Sequence, residues 1–471
     1  MCVINKYRMF HILDRPPFDD FTFKLFVDLF KNRKDYGLSN AEFIYTWSAY
    51  LSQENGRIKA KELFDPGRVR SVPDTITGLY FWKFGYDYIV GSDRYFNHVD
   101  DLYEHFKLTM ADHPDYKPDL YHEFSKTYMQ IHNSVQDKKQ IEYKFHQIVK
   151  SANVVVLFVK DHFRVDIDQS WIQSTPEISE YYSNMCDYYS DKQFIIVTSL
   201  ENLDKEIVKP NCIIVPMGGD ITNQITKFED YIPCSEKINS DNYTISLNRG
   251  TRHHRTYLVS LLHGLNLDNH VNISYLGMTD IPLTDEFESA LKYDNTNDTN
   301  FNLVKTGFDR FRTIVKNYDA IEIYEKSTAN DNIYNFNNSL RLKYKSTFLE
   351  FVTETSYNEL AFNVTEKFSH SVFGYNLPII ISSPGYIEFM KIAGFDMFDD
   401  VINHSYDQEL DKTARIYTAV TDNMELITNN KPKTLFDKHK SRFDENCNHL
   451  KNKLPLFYSN RFWNKLKEIK L

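Results

Sequence analysis

Short apolar runs rich in β-branched residues recur along this chain in alternation with helical patterns, and this limits the fold more than any other feature. Residues 153–159 read Asn-Val-Val-Val-Leu-Phe-Val. A helical pattern over 177–189 follows, then apolar runs at 194–198 and 212–216. A second series starts with strand 243–247, helix 255–265 and strand 272–275. It resumes with strands 320–324 and 347–354, helix 366–373, strand 378–382 and helix 385–393. A continuous apolar run is what a strand covered on both faces requires, and parallel strands of that kind need helical crossovers. The expectation is an α/β fold with two Rossmann-like domains facing a cleft.

A chain of 471 residues exceeds one ordinary core. The polar, irregular stretch 218–241 suits a linker, so residues 1–242 are expected to form an N-terminal domain and 243–430 a C-terminal one. The N-terminal half gains extra helical elements, because residues 21–30 and 120–148 space apolar side chains at helical intervals. Residues 431–471 read as a basic, aromatic-bearing helical tail placed to pack back on the N-terminal domain.

Composition removes several classes of function. No apolar run approaches the roughly 18 residues of a membrane span, and the first residues, Met1-Cys2-Val3-Ile4-Asn5-Lys6, lack a signal-peptide pattern. The five cysteines are scattered and odd in number, which argues for a reducing, cytoplasmic setting. A net charge of −10 gives no global attraction to nucleic acid or to anionic lipid. Metal ligands are sparse. Asp166-Ile167-Asp168 matches a divalent-cation tripeptide, but such a tripeptide is common by chance, so no metal site is expected.

Two segments carry the chemistry. In the first, an apolar strand ends at Glu354, and the segment Asn363-Val364-Thr365-Glu366-Lys367 then opens a helix. In the second, Asn248-Arg249-Gly250-Thr251-Arg252-His253-His254-Arg255 also follows a strand and opens a helix. In open α/β sheets, ligands bind where strand ends meet helix starts. Arginine forks bind phosphate in two-point fashion, and a helix start adds N–H groups and a favourable dipole. The bland alternative for Thr365-Glu366-Lys367 is an ordinary helix cap with charged first-turn residues.

The strand, Glu354, loop, Thr365-Glu366-Lys367, helix, Pro378-Ile379-Ile380 sequence resembles the C-terminal nucleotide-sugar-binding domain of fucosyltransferase-like glycosyltransferases. Pro384-Gly385-Tyr386, Gly394-Phe395-Asp396-Met397-Phe398-Asp399, Ser405-Tyr406-Asp407 and Arg415 resemble a related viral and bacterial set. In that set Asn-Arg-x-x-Arg-x-His-Arg opens the C-terminal domain, matched here by Asn248, Arg249, Arg252, His254 and Arg255. The resemblance spans about residues 243–430. It implies a two-domain GT-B glycosyltransferase without a cofactor, using a UDP- or GDP-sugar as co-substrate.

On that reading the donor is held by Asn248, Arg249, Arg252, Arg255, Glu354, Asn363, Thr365, Glu366 and Lys367. The cations neutralise the leaving diphosphate, Glu366 accepts ribose hydroxyls, and Glu354 accepts from the donor sugar or ribose. If the reaction inverts the sugar, Asp161, His162 and Glu201 are the candidate bases for a glycan-type acceptor. Two rival readings stay open. One is an enzyme that glycosylates modified DNA bases, using the basic stretches 431–440 and 451–470. The other is a sugar-nucleotide or glycan-binding module without turnover.

Overall fold

The β-branched runs build two parallel sheets. The structure, a computed structural model, describes residues 10–12, 21–48, 79–81, 88–90, 149–161, 178–218, 220–238, 243–248, 252–275, 300–314, 335–355, 357, 360–428 and 432–469. The chain divides into two units, Met1–Asn223 with Ser459–Leu471, and Gln224–Tyr458.

The first unit contains β1 (Phe10–Ile12), β2 (Glu42–Ser48), β3 (Leu79–Phe81), β4 (Tyr88–Val90), β5 (Val154–Asp161), β6 (Gln193–Thr198) and β7 (Cys212–Pro216). Its main sheet runs β1-β2-β5-β6-β7 with every pair parallel, while β3 and β4 form a separate antiparallel pair. Among the described residues of the N-terminal region, strands accompany the expected helical element. The helix Phe21–Lys31 is present, yet β1 and β2 are strands of the sheet. Residues 43–47, Phe-Ile-Tyr-Thr-Trp, are all aromatic or β-branched. Such residues fit a pleated surface better than a helix, and β5 offers β2 a partner from Glu42↔Val155 to Ser48↔Asp161. Leu25, Phe26 and Leu29 of the first helix bury against Phe43, Val156, Phe158 and Ile195. Phe462 and Leu466, near the C-terminus, complete that core, with Phe158 and Phe462 ring centres 6.0 Å apart.

The second unit carries β8 (Thr244–Asn248), β9 (Val271–Tyr275), β10 (Leu349–Thr353) and β11 (Leu377–Ile381), all parallel, in the order β9-β8-β10-β11. All five residues of β10 and all five of β11 are buried. Helix Phe301–Ile314 lies against helix His253–Gly264 so closely that a Cβ at Gly307 would overlap the Ser260 carbonyl.

The polar stretch before β8 is more ordered than a linker. Tyr231 and Cys234 are buried. The Lys237 ammonium reaches Tyr344 O at 2.7 Å, Thr347 O at 2.5 Å, Gly374 O at 2.5 Å and Asn376 Oδ1 at 2.8 Å. Tyr344 and Gly374 lie in the last turns of the helices Arg341–Lys345 and Glu366–Gly374, where unpaired carbonyls and the helix dipole both favour a cation. Burial pulls the Lys237 pKa down to about 7, against the raising effect of Cys234 and Glu350.

The expected helix 120–148 and strand 320–324 lie outside the described residues, as do His162, Asp166, Asp168 and Arg249. Of Asp161, only its place as the last residue of β5 is described.

Candidate functional site

The order of strands in the second sheet selects one edge. Chain order reverses between β8 and β10, which are neighbours in the sheet but send their following chain in opposite directions. A crevice opens at such a switch point, beyond the C-terminal strand ends. Both chemistry-bearing segments found in the sequence begin there. Asn248 ends β8 ahead of helix His253–Gly264, and Glu354 follows β10 ahead of helix Glu366–Gly374.

Three consecutive residues, Thr353, Glu354 and Thr355, are gripped from both sides. From the β8 side, Asn248 Oδ1 accepts from Thr353 Oγ1 at 3.2 Å, Arg255 Nη2 donates to Thr353 O at 3.1 Å, and His254 Nε2 lies 2.9 Å from Glu354 O. From the other side, Thr365 N and Oγ1 donate to the Glu354 carboxylate at 3.2 and 2.5 Å. Tyr386 Oη donates to it at 2.8 Å. Lys367 Nζ approaches Thr355 Oγ1 at 3.5 Å, Thr365 Oγ1 at 3.1 Å and Glu366 Oε1 at 3.0 Å. The two helix starts are therefore joined by one continuous hydrogen-bond network.

This arrangement divides the expected residues by role. Glu354 is 0% exposed, and Thr365 and Tyr386 donate to its carboxylate. It ties the start of helix Glu366–Gly374 and Tyr386 to the end of β10. Asn248, Arg255, Asn363 and Thr365 are also buried. Thr365 caps its helix in extended conformation, with its hydroxyl accepting from Lys367 N, the usual use of a hydroxyl residue at that position. Among the described expected residues, the side chains that reach the surface are Glu366 and Lys367, each 25% exposed, and Arg252, which is half-buried ahead of helix His253–Gly264.

The local field is positive. Burial, then Lys412 and Arg252, lower the His253 pKa. Burial, then Arg255 and Arg252, hold His254 well below its usual value, so both rings are neutral at pH 7. Burial penalises the Glu366 charge, but Lys367 and His370 outweigh it and hold the carboxyl at about 2. Glu366 is thus ionised and paired, while Lys367 keeps donors directed towards the strand ends.

Sequence reasoning did not single out Tyr357, and it met Tyr386 only within a resembling tripeptide. The Tyr357 ring stacks on His254 with centres 4.6 Å apart, and the Arg415 guanidinium lies 4.6 Å from the centre of the Tyr357 ring. Arg415 also donates to Tyr357 O at 2.8 Å and to Glu409 O at 2.6 Å. Tyr386 starts a short helix whose N–H groups at Ile387 and Glu388 are capped by Asp407. Gly385 before it has φ of 79°, a left-handed conformation that glycine adopts without a Cβ clash. An aromatic residue beside a loop glycine was the available signal for Tyr386; Tyr357 had none.

Of the candidate bases, only the Glu201 side chain is described. It is wholly buried, paired with Arg461 through Oε2, and raised in pKa by burial against the lowering effect of Arg461. Among the described residues no cluster of three His, Cys, Asp or Glu is placed to hold a metal, and no helix is long and apolar enough to cross a membrane. The C-terminal cations are interleaved with acids: Lys433 pairs with Asp437, Arg442 with Asp396 and Asp400, Lys451 with Glu229, and Lys465 with Glu468. Comparison with protein-family profiles, with curated proteins and with solved structures gave no match.

Proposed function

We propose that this chain is a GT-B-type glycosyltransferase that transfers a sugar from a nucleotide-sugar donor to a hydroxyl of a glycan-type acceptor. The observation that carries the reading is the meeting of two helix starts, one led by Arg252 and the other by Lys367, at the β8–β10 switch point. The resemblance of Thr365-Glu366-Lys367 and of the Arg252–Arg255 segment to glycosyltransferase motifs adds support. A departing nucleoside diphosphate gains negative charge as the glycosidic bond breaks. Fixed cations and helix-start N–H groups stabilise that charge without solvent reorganisation. Arg252 and Lys367 are assigned to the diphosphate, and Glu366 to ribose hydroxyls. Glu354, Arg255, His254 and Tyr386 hold the crevice in shape.

The test is a panel of UDP-, GDP- and CMP-sugars, read by thermal stabilisation and by donor hydrolysis. One nucleotide class should stabilise the protein and be hydrolysed slowly. Lys367→Ala and Arg252→Ala should each weaken binding of that diphosphate by ~1.5–3 kcal/mol, the scale of one charge-assisted contact. Binding without hydrolysis or transfer to any acceptor would leave a sugar-nucleotide-binding module. No stabilisation by any member of the panel would overturn the reading.

A further inference from the structure

In the second unit, residues 232–238 run alongside the helical stretch 335–345 and are fastened to it at four successive points. Ile232 N donates to Asn337 Oδ1 at 3.0 Å, Cys234 Sγ to Arg341 O at 3.6 Å, Lys237 Nζ to Tyr344 O at 2.7 Å and Ile238 N to Lys345 O at 2.9 Å. Tyr231 and Cys234 are buried and the Lys237 ammonium is held by carbonyls. The same fastening leaves Ile232 and Ile238 in water, 48% and 57% exposed. Helix Arg341–Lys345 buries Tyr344, and Leu342, turned about 200° from it, is 69% exposed. Cations flank these three aliphatic side chains: Lys343 is exposed, and Arg341 and Lys345 are half-exposed. Among the described residues none of these three cations is in an ion pair, whereas Lys433, Arg442, Lys451 and Lys465 of the C-terminal helices are paired. The exposed acids of the segment are Glu236 and, beyond the buried Tyr231, Asp230 and Glu229, the last of them paired with Lys451.

We propose that this ridge docks the second unit on the surface of an anionic phospholipid bilayer. Aliphatic side chains standing out of the protein enter the boundary between headgroups and acyl chains, while cations beside them meet the lipid phosphates and carboxylates. Leu342 supplies the outermost apolar tip, and Ile232 and Ile238 lie along the fastened segment beside its helix. Arg341, Lys343 and Lys345 have long stems that let their charges stay at headgroup level as Leu342 goes in. Charge complementarity selects the occupant: the chain carries a net charge of −10, yet the short helix that presents Leu342 carries three cations and no acid. The attachment is a shallow one on a rigid base, because the four contacts hold the aliphatic side chains outward before any lipid arrives. It also leaves the crevice open. Lys237 touches Gly374, the last residue of a nine-residue helix whose first turn carries Glu366 and Lys367. The ridge is therefore at the opposite end of that helix, about 13 Å long, from the candidate site.

The experiment sediments the full chain with vesicles of equal parts phosphatidylserine and phosphatidylcholine, and with vesicles of phosphatidylcholine alone. Wild-type protein should pellet with the mixed vesicles, stay in solution with the neutral ones, and be released from the mixed vesicles by high salt. Leu342→Asp, and Lys343→Ala combined with Lys345→Ala, should each weaken partitioning by about tenfold or more. Lys438→Ala combined with Lys440→Ala, which removes two exposed cations of helix Pro432–Asn452, should leave it unchanged. Circular dichroism and urea unfolding check that each variant folds as wild type does, which the exposure of the replaced side chains favours. Absence of binding to the mixed vesicles, equal binding to neutral ones, or binding that survives both ridge variants would each overturn the proposal. So would a chain that ignores vesicles but forms a dimer that Leu342→Asp dissociates, since a second copy would then occupy the ridge.

Discussion

Replacing Glu354 tests whether the switch-point crevice is built as described. Its carboxylate accepts from Thr365 N at 3.2 Å, Thr365 Oγ1 at 2.5 Å and Tyr386 Oη at 2.8 Å. Thr365 and Tyr386 are 0% and 1% exposed, so water cannot replace the lost acceptor. Glu354→Ala orphans three donors, each worth ~1–3 kcal/mol when buried and unpaired. Removing a buried carboxylate returns part of its desolvation cost, and the hydroxyls of Thr365 and Tyr386 can rotate while the Thr365 N–H cannot. The net loss should be about 3–5 kcal/mol. Glu354→Gln keeps one oxygen acceptor, and its amide can donate to a threonine hydroxyl, so it should lose only about 1–2 kcal/mol. Urea unfolding followed by circular dichroism gives the stabilities. Amide exchange over residues 366–374 reports whether the helix start has loosened. An Ala variant within about 0.5 kcal/mol of wild type, the scatter of neutral surface changes, would refute the reasoning. So would a Gln variant that keeps full stability but loses all nucleotide binding, since that outcome makes Glu354 a ligand group.

Four further outcomes are expected. Lys237→Met strips a cation from three backbone carbonyls and one amide oxygen; it should cost ~2–4 kcal/mol in urea unfolding, and a neutral result would contradict its capping role. Acid should destabilise the second unit in two stages. His370, lowered by burial to about 4 from 6.5, prefers to be neutral in the folded state, so stability falls as pH drops from 6.5 towards 4. Glu366, held at about 2 against 4.5, contributes stability above 4.5 that is lost as pH falls towards 2. Stability against pH for His370→Gln and Glu366→Gln should each lack its own stage. Gly307→Ala should lose more than about 2 kcal/mol or separate the two helices, because the added methyl meets backbone at Ser260; an unchanged melting temperature would show that the contact is loose. Transfer should persist in EDTA, whereas complete loss that manganese restores would bring Asp166 and Asp168 back as ligands.

The sequence by itself was enough to place most strands of both sheets. β5, β6, β7, β10 and β11 are runs whose residues must be buried on both faces, and period and composition carry that information locally. It also marked Thr365 as a cap and placed Arg252 and Lys367 at helix starts, because caps and charged first turns are local features. β2 was concealed among helical spacings, since its strand character depends on β5 lying alongside. Tertiary structure decided which charges face solvent and which are consumed internally. Glu354, Arg255 and Glu201 look as available in the sequence as Lys367 does. Yet Glu354 is closed by residues 11 and 32 positions away, Arg255 by a carbonyl 98 positions away and Glu201 by an arginine 260 positions away. Likewise, no spacing rule joins Asn211 to the Cys186 carbonyl, or Lys237 to two helix ends more than a hundred residues further on. Local pattern fixes what a segment becomes. Only the packing of distant segments fixes which of its polar groups remain free to act.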